Sequence, residues 1–226
     1  MENTLYIVST PIGNMKDITL RALEILKDAD FIACEDTRVS SNLLKHYDIH
    51  KELISVNAFN EKNKLDYVIT RIKQVNCAAL VSDAGTPGFS DPGLRLISAA
   101  IKEGIKVVPV PGPTAMAAAL TISGLPLDAF LFEGFLPQKK GRQKKLKELS
   151  AEERTIIVYE SVYRIEKLLN ELQEYMPERH IVVCRELTKM FEETWRGKPS
   201  EIITELPHKT IKGEFAVVIA PKDYKI

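Results

Sequence analysis

Two acidic stretches carry the side chains best placed to do chemistry: CEDTR at 34–38, with Glu35 and Asp36, and LVSDAGTPGFSDPG at 80–93, with Asp83 and Asp91. The second has the outline of a phosphate-cradling loop, an apolar run followed by glycines and prolines, yet it holds two aspartates and no lysine. Carboxylates repel phosphate. The loop instead suits a ligand carrying both charges: its aspartates face an amine or another cation, and backbone N–H groups at the start of the next helix receive a carboxylate or hydroxyl. CEDTR has a plainer use as well, because Asp36 and Thr37 are good helix N-cap residues.

Other chemistries lack their residues. There is no GxxxxGK[ST], and the first strand is followed by STPIGN rather than GxGxxG, which argues against a P-loop hydrolase, an ordinary dinucleotide fold and the commonest methyltransferase fold. GxSxG is absent, and His46, His50, His180 and His208 are scattered in helix ends or turns. Cys34, Cys77 and Cys184 stand alone in apolar segments without ligand spacing, as buried thiols in a reducing compartment do, so no metal is expected. Charge is balanced at 31 basic and 31 acidic residues, which removes any global reason to bind nucleic acid. One local run, QKKGRQKKLKEL, crowds Lys139, Lys140, Arg142, Lys144, Lys145 and Lys147 together. It reads either as the solvated face of a helix or as a contact to a phosphate backbone.

The elements that must position these residues alternate. Apolar β-branched runs (LYIVS, FIAC, ELISV, AALVS, VVPV, then FLFEGF, TIIVYE, HIVVCRE and FAVVIAP) are separated by segments such as ITLRALEILKDA and YRIEKLLNELQEY, whose apolar residues recur at helical spacing. This is α/β organisation in a chain of 226 residues, 45% hydrophobic and 27% charged. A Pro-Gly-Pro turn and a small-residue helix near the middle place a boundary between domains 1–113 and 114–226, which would share a cleft suited to a small molecule. Gly- and Pro-rich turns follow the strands at STPIGN, CEDTR, SDAGTPG, PVPGPTA, YES, REL and KGEF. In an open α/β sheet such turns lie where ligands bind. TAMAAALTISGL is too short to span a bilayer and the start has no charged leader, so a soluble, cytoplasmic protein is expected.

Taken in order, LYIVSTPIGNMKDITLRALEIL, FIACEDTR, ALVSDAGTPGFSDPG, VVPVPGPTA, FEGFLPQKKGRQKKL, YESVYR, RELTKMFEE and KGEFAVVI resemble the 16S rRNA (cytidine 2′-O)-methyltransferases within the tetrapyrrole (corrin/porphyrin) methylase fold family, across about 5–221. The resemblance implies two α/β domains with a donor-binding cleft between them. S-adenosylmethionine, a zwitterion with a positive sulfonium, is the implied methyl donor. Pro11, Asp83, Gly85, Ser90, Thr114 and Ala115 match donor-binding positions on the N-terminal side, and Tyr159, Glu214 and Phe215 on the C-terminal side. Glu35, Asp36 or Glu61 would take the proton of a ribose 2′-hydroxyl, and Arg38 would hold an RNA phosphate beside Lys139, Lys140, Arg142, Lys144 and Lys145. The implied partner is 16S rRNA in the small ribosomal subunit, near its decoding region, with no membrane and no DNA.

The chain departs from that pattern at Val39, where a histidine commonly follows EDTR, and in NAFNE, where Asn57 and Phe59 stand in histidine positions. A histidine base is thereby excluded at both places. Some relatives carry a C-terminal extension, whereas this chain stops soon after Pro221, so docking is expected to lean on the basic run and on a second subunit of a homodimer. Two rivals share the fold: a tetrapyrrole methylase, which the basic run disfavours, and a ribosome-associated binding protein without catalysis.

Overall fold

A computed structural model describes residues 3–57 and 61–225, with the side chains of 61–63 outside the description. The chain divides into two compact units, Met1–Thr114 and Ala115–Ile226. Among the described residues no helix is long and apolar enough to cross a membrane.

The first unit runs β1 (Thr4–Val8), α1 (Leu20–Asp28), β2 (Phe31–Cys34), α2 (Thr37–His46), β3 (Glu52–Ser55), α3 (Glu61–Ile72), β4 (Cys77–Val81), α4 (Leu94–Lys102) and β5 (Lys106–Val110). Its sheet is ordered β3-β2-β4-β1-β5 with every pairing parallel. Strands covered on both faces have no polar side, which is why FIAC and AALV read as unbroken apolar runs. Phe31, Ala33, Ala78 and Leu80 pack with Val68, Ile72, Leu96 and Ala100 of α3 and α4. Their alternates Ile32, Cys34, Ala79 and Val81 pack with Ala22, Leu26 and Leu44 of α1 and α2 on the other face. The division follows from handedness: β1 to β3 advances one way across the sheet and β3 to β5 the other, so right-handed crossovers lay the helix pairs on opposite faces.

The second unit runs α5 (Ala115–Ser123), β6 (Phe130–Phe135), α6 (Arg142–Ser150), β7 (Thr155–Ser161), α7 (Ile165–Tyr175), β8 (Ile181–Arg185), β9 (Glu193–Gly197), α8 (Pro199–Glu205) and β10 (Glu214–Ile219). The sheet is ordered β6-β7-β10-β8-β9, with β6 parallel to β7 and the remaining pairs antiparallel. Strand β9, ETWRG, is not legible in the sequence because only Thr194 and Trp195 are strand formers. It exists because β8 offers it an edge and the core takes Trp195.

Arg142 is a correction. Placed with the RNA-facing cations by sequence, it is instead an interior residue whose side chain is 3% exposed. Its Nε donates to both carboxylate oxygens of Glu171 at 3.0 and 2.8 Å, its Nη2 to Glu160 at 3.2 Å, and its Nη1 to the Pro137 carbonyl at 3.1 Å. Glu160 is fully buried and also pairs with Arg164 at 2.8 Å. Arg142 therefore starts α6 and closes the turn before it, and its buried guanidinium is not presented to a phosphate. Breaking a buried pair strands a charge in the interior, so Arg142→Ala is expected to lower stability by about 3–5 kcal/mol in urea unfolding. Lys139→Ala, on the exposed turn, should stay within about 0.5 kcal/mol of the parent. Equal midpoints for the two variants would contradict this division of the basic run.

Candidate functional site

Because every strand of the first sheet points the same way, the turns after β1, β2, β4 and β5 all leave from one edge, and STPIGN, CEDTR, SDAGTPG and PVPGPTA meet there. Strand β4 sends its chain to one face while both neighbours, β2 and β1, send theirs to the other, and a crevice opens where such connections part. On the β1 side it is stitched shut. Thr10 N–H donates to the Gly85 carbonyl at 2.8 Å and Gly85 N–H returns a bond to Thr10 at 3.0 Å. Ser9 Oγ and Thr86 Oγ1 lie 2.8 Å apart, and Thr86 Oγ1 donates to the Pro113 carbonyl at 3.2 Å. Two glycines allow this closeness: Gly85 has φ +84°, and a Cβ on Gly112 would stand 2.8 Å from Ser9 Cβ. On the β2 side the link is Asp36 N–H donating to Asp83 Oδ1 at 3.0 Å.

That bond brings the two acidic stretches together. Burial raises the Glu35 carboxyl above the ordinary range, and the charges of Asp83 and Asp91 add to it. Burial likewise raises Asp83, against the hydrogen bond it accepts from Asp36. Asp36 goes the other way, held at about 2 by Arg38, whose Nε and Nη2 both donate to it. It also caps α2 by accepting Arg38 N–H at 2.8 Å. A carboxylate so stabilised is a weak base at neutral pH, which corrects its candidacy, and the exposed Arg38 guanidinium is itself occupied by this pair. Glu61 is the first residue of α3, and its side chain lies outside the described residues. Asn57 donates to Ser55 Oγ at 3.3 Å, and Phe59 lies outside the description.

The remaining sequence candidates are distributed by unit. In the first, Pro11 is buried beside the Thr10–Gly85 bridge, Ser90 stands exposed with φ +66°, and Thr114 Cα lies 4.0 Å from where a Cβ on Gly85 would be. Ala115 opens α5. In the second, Tyr159 on β7 makes edge contacts with the Phe132 and Phe135 rings. Glu214 begins β10 and pairs with Lys189 at 3.0 Å, so KGEF runs into a strand rather than forming a free turn. The Phe215 side chain belongs to the core beside Trp195, which removes it as a ring available to an adenine. Among the cations, Lys139 and Lys140 are exposed and without an ion pair among the described residues, Lys144 lies 3.9 Å from Glu148, and Lys145 pairs with Glu133 at 2.9 Å. Sequence reasoning passed over Ser9, Thr86 and Gly112, which hold the turns together, and Glu160, whose charge inside TIIVYES was the available signal.

Known proteins agree with this architecture. The family described as Tetrapyrrole (Corrin/Porphyrin) Methylases matches residues 4–203. A ribosomal RNA small subunit methyltransferase I of Halalkalibacterium halodurans is 45% identical over all of this chain and 78% of its own length. The same-named protein of Thermotoga maritima is 43% identical over 97% of this chain and 99% of its own. Among solved structures, uroporphyrin-III C-methyl transferase of Thermus thermophilus, complexed with S-adenyl homocysteine, superposes with TM-score 0.67 at 18% identity, covering 95% of this chain and 96% of that one. The parallel sheet with its stitched turns, the second mixed sheet and these full-length identities lead to one conclusion: the chain belongs to the tetrapyrrole methylase family, in its ribosomal RNA small subunit methyltransferase I branch.

Proposed function

We propose that the chain transfers a methyl group from S-adenosylmethionine to the 2′-hydroxyl of a cytidine ribose in the decoding region of 16S rRNA, acting on the small ribosomal subunit. The observation that carries the reading is the meeting of the acidic turns after β2 and β4, joined by Asp36 N–H and Asp83, where burial raises both Glu35 and Asp83 and the charge of Asp83 adds to Glu35. Such carboxylates are eased by a cation, so the residues present fit a donor bearing an ammonium and a sulfonium. Asp83, Gly85 and the turn ending at Thr114 would hold it. When bound, S-adenosylmethionine supplies an electrophilic methyl on a positively charged sulfur.

The chain's own groups must orient the ribose hydroxyl, keep water away and take its proton. Glu35 suits the last task better than Asp36, because a raised carboxyl near the crevice accepts a proton at a pH where one held at about 2 does not. Lys139, Lys140 and Lys144, exposed on the turn and first half of α6, would meet RNA phosphates.

Tritiated donor incubated with purified small subunits tests the reading: label in 16S rRNA supports it, label only in a corrin or porphyrin acceptor favours the tetrapyrrole rival, and donor binding without transfer favours a binding protein. Asp83→Asn keeps the Oδ1 acceptor for Asp36 N–H but removes the charge. Calorimetry should find donor affinity reduced roughly tenfold to a hundredfold, as for a lost hydrogen bond to a charged group. Because the Asp83 carboxyl is raised, unsubstituted protein should lose donor affinity on acidification sooner than an ordinary carboxylate would dictate, and the variant should lose that dependence; parental affinity in the variant would restrict Asp83 to holding the turn. Replacing Lys139, Lys140 and Lys144 together by Ala should weaken small-subunit binding and flatten its salt dependence by about three counterions while donor affinity holds. An unchanged salt slope would remove the basic turn from the RNA contact.

A further inference from the structure

The edge of the second sheet where β6, β7 and β8 run out carries large apolar side chains that the chain leaves uncovered. Strand β6 is parallel to β7, and β7 and β8 are both antiparallel to β10, so the three end on the same side. Tyr163, just past β7, is 94% exposed, while Met190 and Phe191, past β8, are 90% and 67% exposed. Lys139 and Lys140, past β6, share this edge.

The loop that presents Phe191 is built rather than slack. Glu186 and Thr188 adopt φ +50° and +65°, a region that a β-branched residue occupies only under constraint. Arg185 Nη1 donates to the Phe191 carbonyl at 3.1 Å and its Nε to the Lys212 carbonyl at 2.7 Å. Glu186 accepts Glu214 N–H at 3.0 Å, and Lys189 bridges Glu186 and Glu214 at 2.9 and 3.0 Å. A Cβ on Gly213 would strike the Glu186 carboxylate at 2.3 Å, so the arrangement needs glycine there. Backbone strain and a set of hydrogen bonds and ion pairs are thus used to hold an aromatic ring and a thioether out in water.

We propose that this edge is a stacking platform for unpaired nucleobases, with the rings of Tyr163 and Phe191 taking base faces and Lys139 and Lys140 meeting the phosphates of the same single-stranded RNA segment. The inference rests on the RNA-methylating reading above and adds the residues that would read the strand. Two features favour RNA over a protein surface. Tyr163 follows β7 and Phe191 follows β8, with β10 between the two strands, so the rings come from separate loops at one edge, as successive bases of an extended strand require. Lys189 and Glu192 flank Met190 and Phe191 in the chain, whereas the core of a protein interface is depleted of charge. Stacking on exposed aromatic rings is also how unpaired RNA is commonly held.

A short single-stranded RNA carrying 2-aminopurine supplies the test, because stacking on a ring quenches its fluorescence. The unsubstituted full chain should quench it, Tyr163→Ala and Phe191→Ala should each weaken binding roughly tenfold, and Tyr163→Phe and Phe191→Tyr should restore both. The same alanine variants should raise KM for small subunits in methyl transfer while donor affinity and oligomeric state stay as in the parent. Absence of quenching by the parent, or parental KM and affinity in the double alanine variant, overturns the platform; a change of oligomeric state in that variant overturns it in favour of an interface between copies. Absence of methyl transfer to small subunits by the parent would instead count against the methylating reading itself, so the two failures are distinguishable.

Discussion

The hydrogen bond from Asp36 N–H to the Asp83 carboxylate is the contact on which the site depends. It joins the turn after β2 to the turn after β4, two strands whose chains then depart to opposite faces of the sheet. Without it the acidic stretches would be separate loops, each pointing where its own helix starts. With it, Glu35 and Asp83 are partly desolvated together, and burial raises both, the charges of Asp83 and Asp91 adding to Glu35 and that of Asp36 to Asp83. A sheet edge that concentrates negative charge in this way has a standing preference for a cation, which a phosphate-binding loop of similar outline would not have.

The other side of β4 shows how the crevice is kept to one place. The Thr10–Gly85 bridge, the Ser9–Thr86 contact and the close approach of Gly112 to Ser9 fill the gap toward β1 with paired backbone groups. The small and glycine residues of STPIG, SDAGTPG and PGPTA are therefore packing partners as much as turn formers. That explains why these segments are rich in residues with short side chains: a Cβ at Gly112 would force its turn away from Ser9, and one at Gly85 would strain a backbone held at φ +84°.

Charge in the second unit is divided by burial. Arg142, Glu160, Glu171 and Arg164 form an interior network that starts α6 and ties it to α7 and β7. Lys139 and Lys140, three and two residues before Arg142, stay in solvent on a turn whose carbonyl at Pro137 the same Arg142 holds. An interior charge fixes a backbone, and exposed ones are left for a partner. Six cations that look alike in QKKGRQKKLKEL thus serve different ends, Lys145 being drawn to Glu133 and Lys144 toward Glu148.

Much of the fold was legible in the sequence, because a strand buried on both faces must be apolar throughout and a helix packed on one face must repeat at 3.6 residues. FIAC, AALV, ITLRALEIL and IEKLLNELQ obey those demands locally, so α/β organisation, the placing of Gly- and Pro-rich turns at strand ends and the unsuitability of SDAGTPG for phosphate could all be read without coordinates. Strand β9 could not, since ETWRG becomes a strand only when β8 lends it an edge. Nor could the separation of Arg142 from its lysine neighbours, the loss of Phe215 to the core or the pairing of Asp36 with Arg38 and Asp83. Sequence determines which residues can be buried or charged; only the tertiary structure decides which partners they meet, because burial and Coulomb energy depend on distances between segments far apart in the chain.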